Sequence, residues 1–301
     1  SILGPLLFLL FINDLPNATN FFKFILFADD STLTCKIADS DLPTIADEIN
    51  DNLRYIHDWL TANKMAVNSN KTKYILFSYR KTTELPQIKL GDGTIAQTDT
   101  TKFLGIHIDR HLNFNAHINY LTNKLSKNLG ILYKLSKFMP HSVLLTLYHT
   151  LIQPFLFYGI EVYYNTSQTQ INRLNIIQKK CIRAINNLPY NEHTNEYFLT
   201  DKILKLQDIH TLHIATYMYK TLHDGHDNYL LDRLTTHEDL HAHATRHRQQ
   251  LVIPRFRTAT SQNSIHYIGT KCWNDLPLDI RESNSFCQFR ARLRKFLLSR
   301  Y

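Results

Sequence analysis

The sequence predicts an α+β fold in which strands are confined to the first part and the remainder is helical. Two observations carry this. Up to about residue 110, short apolar or alternating runs of strand length are interleaved with helical patterns, whereas from Asn115 onward apolar residues recur at spacings of three and four. Between them, near Asn113 to Asn115, the period itself changes, which places a boundary there. With 301 residues, 44% of them apolar and 12% aromatic, the chain can bury a sizeable core and is not disordered by composition.

Taken in order, Pro5 suits the first turn of a helix that runs through Leu6 to Ile12, and Asn13, Asp14 and Pro16 mark its end. This helix is apolar nearly all round, so it is expected to be buried on most faces. Ser1, Gly4 and Pro5 lead into it, a small-residue entry that lets a ligand approach the backbone closely. Phe21 to Phe27 reads as a buried strand and Ser31 to Ile37 as an alternating one. Asp41 to Asn63 reads as an amphipathic helix through Ile45, Ile49, Leu53, Ile56 and Leu60, and Tyr74 to Tyr79 as a strand after a polar loop. Gly91-Asp92-Gly93 is a hairpin signal between Gln87–Leu90 and Thr94–Gln97. Thr101 to Asp109 alternates as a strand, with Gly105 suggesting a bulge or a close backbone approach.

Beyond the boundary, Ile118, Leu121, Leu125, Leu129, Leu132 and Leu135 form a helical stripe. Helices are expected over Ser142 to Gln153, Gln168 to Ile185, Thr200 to Leu222, Ser264 to Asp275 and Ser285 to Arg300. His223 to Ser261, polar and rich in histidine, reads as a long connection or a loosely packed segment.

Charge narrows the function. The formal net charge is +8, a balance that suits a polyanion such as nucleic acid. Lys124, Lys127, Lys179, Lys180 and Arg183 lie on predicted helix surfaces where each phosphate contact would add salt-dependent affinity, although such residues commonly form only a solvated face. The last helix carries Arg290, Arg292, Arg294, Lys295 and Arg300 with no acid. The four cysteines are widely spaced without a CxxC pair, so neither a disulfide framework nor a zinc knuckle is supported. No apolar run reaches membrane-spanning length, and Ile2 to Ile12, with no basic segment before it and no small-residue cleavage site after it, is not expected to act as a signal-peptide core. The first residue is serine and the first methionine Met65, so the chain is expected to start inside a longer protein.

The densest chemistry is Phe27-Ala28-Asp29-Asp30, which sits between the two strand runs and so in the turn of a hairpin. Two adjacent carboxylates repel each other unless a cation lies between them. Mg²⁺, which takes oxygen ligands and is held by one or two carboxylates plus substrate phosphates, is the natural partner. An ordinary polar turn would look the same in isolation.

Several segments together resemble the reverse transcriptases of non-LTR, LINE-type, jockey-like retrotransposons. Ser1 to Pro16 is similar to the segment before the catalytic hairpin, and Phe27-Ala28-Asp29-Asp30 to the polymerase carboxylate motif. Asn68, Lys71 and Thr72 resemble the lysine motif that follows, and Lys102-Phe103-Leu104-Gly105 with Ile108-Asp109 the primer-grip hairpin. Leu174 to Ile185, and Gly269 with Trp273, Asn274, Leu276 and Pro277, resemble the C-terminal region of these elements. The match covers nearly the whole chain, in order.

The resemblance implies a partial polymerase palm with its primer-grip hairpin over residues 1–114, a helical thumb-like domain over 115–190 and a helical C-terminal region over 191–301. It implies an RNA-directed DNA polymerase that extends a primer 3′-hydroxyl with two Mg²⁺ ions, or Mn²⁺, using RNA template, DNA primer and deoxynucleoside triphosphates, with no membrane partner. Asp29 would be the main metal ligand, Asp30 its support and Lys71 the general acid. Ser1, Gly4, Pro5, Phe27 and Ala28 would face nucleotide and template; Phe103, Leu104 and Gly105 would grip the primer. Nuclear and cytoplasmic location is expected, without secretion. The fingers and a further metal-binding aspartate would lie upstream in the same polyprotein, so the isolated chain is expected to be inactive, a reading that leaves a non-catalytic nucleic-acid-binding remnant as the alternative.

A rival pattern is His237-Glu238-Asp239-Leu240-His241 with His247, the ligand spacing of a zinc protease. Ala244 replaces the usual glycine, no methionine follows His247, and the segment is polar. All three count against zinc catalysis.

Overall fold

The computed structural model describes residues 3–37, 42–68, 70–78, 87–240 and 250–301, the side chains at 42, 43 and 240 excepted. The chain divides into two compact units, residues 1–112 and 113–301.

The first unit opens with α1 (Leu3–Ile12), a short 3₁₀ turn at Leu15–Ala18, and the strands β1 (Lys23–Phe27) and β2 (Asp30–Thr34). Helix α2 (Leu42–Ala62) follows, then β3 (Lys73–Tyr74), β4 (Lys89–Leu90), β5 (Gly93–Thr94), β6 (Ala96–Gln97), β7 (Thr100–Phe103) and β8 (Ile106–Asp109). Among the described residues these strands form two-stranded ladders and not one continuous sheet: β1–β2, β4–β5 and β7–β8 are antiparallel hairpins, and β3–β6 is parallel.

The core is a one-sided layer. Ala46, Ile49, Leu53 and Ile56 on α2 bury against Ile12, Leu15, Ile88 and Ile95, and Phe24, Leu26 and Leu33 of the first hairpin pack on the same cluster. The spacing along α2 puts those residues on one stripe. Asn50 fastens α2 to β4: its Nδ2 donates to the Gln87 carbonyl at 3.1 Å and its Oδ1 accepts from the Lys89 N–H at 2.8 Å.

Four expectations are corrected here. Helix α1 is not buried on most faces. Ile12 is buried and Phe8 half-buried, while Leu3, Leu6, Leu7, Leu9, Leu10 and Phe11 are exposed. A helix meets a one-sided layer with one face only, and composition does not report how many layers exist. Strand β1 is likewise half-buried: Phe24 and Leu26 face the core, Ile25 and Phe27 the solvent. Thr101 to Asp109 is a hairpin, because Leu104 (φ +44°) and Gly105 (φ +88°) are both left-handed and close the two-residue turn between Phe103 and Ile106. Within Tyr74 to Tyr79 only Tyr74 pairs in a ladder, and Tyr79 lies outside the described residues.

The second unit is helical. It contains α3 (Asn115–Leu135), α4 (His141–Leu151), α5 (Gln153–Phe157), α6 (Ile160–Tyr163), α7 (Gln168–Ile185), α8 (Asn195–Thr200) and α9 (Leu206–Asp224). The short α10 (Asn228–Leu231), α11 (His237–Leu240) and α12 (Ala259–Gln262) come next, and α13 (Ile265–Asn274), α14 (Leu278–Arg281) and α15 (Phe286–Leu298) close it. Helices α3 and α7 pack along their lengths, burying Ile118, Leu121, Leu125 and Leu132 against Ile171, Leu174, Ile182 and their neighbours. Helix α9 forms the second centre, contacting α6, α13 and α15.

The helix expected over Thr200 to Leu222 is broken: α8 ends at Thr200 and α9 starts at Leu206. Polar side chains from elsewhere hold the break. Asp201, buried, takes the Nε2 of His141 at 3.0 Å and the Asn186 amide at 2.8 Å. Gln178, buried on α7, accepts from the Leu206 N–H at 3.1 Å and donates to the Leu204 carbonyl at 2.9 Å, capping α9 from outside. Among the described residues of His223 to Ser261, Leu230 and Leu251 are buried and Thr236 bridges to Leu251, so the segment packs at a few points.

Candidate functional site

In the first hairpin Phe27 pairs with Asp30, leaving Ala28 and Asp29 as a two-residue turn. Ala28 takes φ +51°, a left-handed conformation that favours glycine. Cross-strand partners share a sheet face, so Asp30 stands with Ile25, Phe27 and Thr32 on the face turned from the core, and Asp29 projects from the tip. Both carboxylates are exposed, and among the described residues neither side chain has an ion pair or hydrogen bond. Adjacent anionic oxygens without a protein cation fit a hard divalent ion that fills its other positions with water or phosphate. Asp29 and Asp30 are the residues that would hold it. Among the described residues no group of three histidine, cysteine, aspartate or glutamate side chains could hold a metal ion.

The other expected positions are distributed through both units. Ser1 lies outside the described residues. Gly4 and Pro5 are exposed in the first turn of α1, and space beside Gly4 is open. Lys71 is exposed in a turn whose Asn68 carbonyl accepts from the Lys71 and Thr72 N–H groups, both at 3.0 Å. Phe103, Leu104 and Gly105 are half-buried at the turn of the β7–β8 hairpin.

In the second unit, Lys124 and Lys127 occupy exposed positions on α3, Lys124 lying 5.7 Å from the Phe155 ring centre. On α7 Lys179 is exposed and Lys180 half-buried, and Arg183 gives its Nε–H to the Glu192 carbonyl at 3.0 Å. Of the zinc-like pattern, His237 and Glu238 fall on α11, while His241, Ala244 and His247 lie outside the described residues.

One polar cluster was not visible in the sequence. His213 Nδ1 lies 2.7 Å from Glu161, and His210 stacks on Tyr164 with ring centres 4.2 Å apart. Burial pushes the Glu161 carboxyl up, but the His213 hydrogen bond, its own backbone N–H and the two nearby imidazoles outweigh it and leave the group below its ordinary range. Burial drives His210 down to about 4, against the opposing pull of Glu161. Fifty-two residues separate Glu161 from His213, so no local spacing signals the pair.

Comparison with known proteins agrees with the resemblance. The family model described as reverse transcriptase (RNA-dependent DNA polymerase) matches residues 1–108. The chain is 25% identical over 245 residues to the RNA-directed DNA polymerase from mobile element jockey of Drosophila funebris, covering 78% of this chain and 26% of that protein. It is 29% identical over 194 residues to the probable RNA-directed DNA polymerase from transposon X-element of Drosophila melanogaster, covering 62% and 21%. A Pol polyprotein from the type-1 retrotransposable element R1 of Bradysia coprophila is 25% identical over 190 residues, covering 60% and 18%. The chain thus spans about a quarter or less of the curated relatives it matches. No solved structure matches it. The hairpin with its paired carboxylates lies inside the matched region, and similarity to the RNA-directed DNA polymerases of jockey and other mobile elements continues well past it.

Proposed function

We propose that this chain supplies part of the active site of an RNA-directed DNA polymerase, with a palm portion in residues 1–114, a thumb-like helical domain in 115–190 and a C-terminal region in 191–301. The observation that carries the reading is the β1–β2 hairpin, whose tip offers two exposed carboxylates without a protein cation among the described residues, inside the reverse-transcriptase match.

In the reaction the primer 3′-oxygen attacks the α-phosphorus of a deoxynucleoside triphosphate, a new P–O bond forms, and pyrophosphate leaves with the old one. Bound Mg²⁺ or Mn²⁺, two ions in the full site, would lower the pKa of the attacking hydroxyl and offset charge on the phosphates. Asp29 is the principal ligand in this reading and Asp30 assists. Lys71 gives a proton to the departing pyrophosphate. The turn at Phe27 and Ala28, with Ser1, Gly4 and Pro5, borders template and nucleotide. The Phe103-Leu104-Gly105 turn holds the primer end, and Lys124, Lys127, Lys179, Lys180 and Arg183 meet phosphates of the template–primer duplex.

Primer extension on an RNA template with a DNA primer tests this in a longer protein of the element that contains the chain. Asp29→Asn is expected to lower extension by about 10³-fold or more, and Lys71→Ala by roughly 10²-fold. Wild-type extension by Asp29→Asn would overturn the assignment. Residues 1–301 alone are expected to give no extension; robust synthesis by them would refute that part. A readout independent of turnover is Mn²⁺ broadening of amide resonances in residues 1–301. It is expected first at Ala28 to Ser31, and broadening confined to other segments counts against the metal site.

A further inference from the structure

The first unit holds a cavity of about 340 Å³, lined by the end of α2, the chain that follows it and the β4–β5 hairpin. Two of its walls are lengths of chain with main-chain groups to spare. One is the segment after α2. Lys64 (φ +56°) ends the helix, the Met65 N–H donates back to the Leu60 carbonyl at 2.8 Å, and the Asn68 carbonyl is taken by the turn at Lys71 and Thr72. Between these anchors Met65, Ala66, Val67 and Asn68 are alternately half-buried and exposed, as in a strand. Yet the segment lies in no ladder, and among the described residues the N–H and carbonyl groups of Ala66 and Val67 make no hydrogen bond.

The other wall is β5. The Ile95 N–H donates to the Ile88 carbonyl at 2.9 Å, so residues 88 and 95 form a hydrogen-bonded pair. Pairing alternates along an antiparallel ladder, which turns the main-chain groups of Lys89 and Thr94 outward. On the β4 side Asn50 takes the outward Lys89 N–H. On the β5 side Thr94 lines the cavity, and among the described residues no such partner meets its N–H. The hairpin is held in place, for the His57 ring packs so close to Gly91 that a Cβ there would strike it.

Side chains set the chemistry. Met65, Val67, Leu90 and Ile95 give the cavity apolar surface. Lys64, Lys71, Lys73 and Lys89 adjoin lining residues in sequence, are exposed and make no ion pair among the described residues. Asp58 and Asp92 are the acids in the same relation, so cations are in excess.

We propose that the cavity is a docking slot for an extended segment of a partner protein. The segment adds as a strand between residues 65–67 and Thr94, with apolar side chains entering the cavity and acidic ones meeting the lysines. Open main-chain groups on two walls call for a ligand with donors and acceptors at strand spacing. The excess of cations selects acidic residues beside the apolar ones. A single nucleic-acid strand fits less well, because the one ring among the lining residues, His57, is packed against Gly91 and is not free to stack on a base.

The test is fluorescence anisotropy of residues 1–301 with a labelled nonapeptide of alternating valine and glutamate. A second peptide of the same sequence carries N-methyl groups on alternate residues, which removes one edge of N–H donors and keeps every charge. Saturable binding of the first peptide is expected, at least tenfold tighter than that of the second. Thr94→Pro removes an N–H that the hairpin ladder does not use and is expected to weaken binding at least tenfold. Lys64→Glu combined with Lys89→Glu is expected to do the same. No saturable binding, or equal binding of the N-methylated peptide, overturns the proposal. So does a single-stranded oligonucleotide that displaces the peptide at equal or lower concentration, which gives the slot to nucleic acid. Self-association of the protein that Thr94→Pro abolishes gives it to a second copy and overturns the proposal as well. Should Thr94→Pro melt early, the N-methylated peptide decides, since it leaves the protein unchanged.

Discussion

Ala28 holds φ +51° at the first position of the carboxylate turn, where glycine would be unstrained. A side chain in that conformation costs about 1 kcal/mol, and strain of this size tends to persist where the turn has a task. Ala28→Gly is therefore expected to stabilise the first unit by roughly 0.5–1 kcal/mol in urea unfolding, offset in part by the entropy of the glycine-bearing unfolded chain. The same change should loosen the tip that carries Asp29 and reduce primer extension by the longer protein. Destabilisation in the urea experiment would show that the backbone there is not strained. At this scale the sequence was informative where the signal was local. Asp29 and Asp30 stand out because the pair lies between two strand-like runs. The turn at Leu104-Gly105 was less visible, since leucine is a poor residue for a left-handed position and the alternation of Thr101 to Asp109 runs straight through it. Only the resemblance to a primer-grip hairpin pointed to a reversal there.

Among elements, those with strong periodicity were legible: α2, α3 and α7 lie close to where their apolar stripes place them. The interruption between α8 and α9 was not, because its causes are long-range. His141 and Asn186 engage Asp201, and Gln178 reaches Leu204 and Leu206, from positions that no window around residue 203 includes.

The Gly269-to-Pro277 stretch gains a physical meaning at this scale. A Cβ on Gly269 would come within 2.5 Å of the Met218 sulfur on α9, so the glycine lets α13 and α9 approach closely. Trp273 packs beside Phe289, ring centres 5.9 Å apart. Asn274 takes the Leu251 N–H at 3.0 Å and returns its amide to the Leu251 carbonyl at 2.8 Å. These are packing roles, and they give the motif a reason without a ligand. Gly269→Val should destabilise the second unit by about 2–3 kcal/mol, whereas Gly269→Ala, which meets a flexible methionine, should cost about 1 kcal/mol. Thermal melts of the two variants check the ordering; equal and negligible effects would exclude a close approach of the helices.

For the whole molecule, the pH response should be governed in part by the second unit. Burial holds His210 near 4, below the ordinary histidine value of 6.5, so the folded state binds its proton less readily than the unfolded chain. The stability tied to neutral His210 is therefore complete above about pH 6.5 and is lost as pH falls from there toward 4, by on the order of 3 kcal/mol at most. His210→Phe should flatten that part of the profile in urea unfolding at a series of pH values. A variant that keeps the wild-type slope between pH 6.5 and 4 would place the titration elsewhere. The residues behind this behaviour come from α6 and α9, and their pairing follows from how helices stack, which sequence spacing does not encode.

Six large apolar side chains stand bare on the ten residues of α1. In water each keeps an unfavourable hydration shell, and together they form a contiguous adhesive strip. Molecules carrying such a strip collect on one another, on detergent and on vessel walls. Purity and concentration will therefore weigh on every solution measurement as heavily as the intended chemistry.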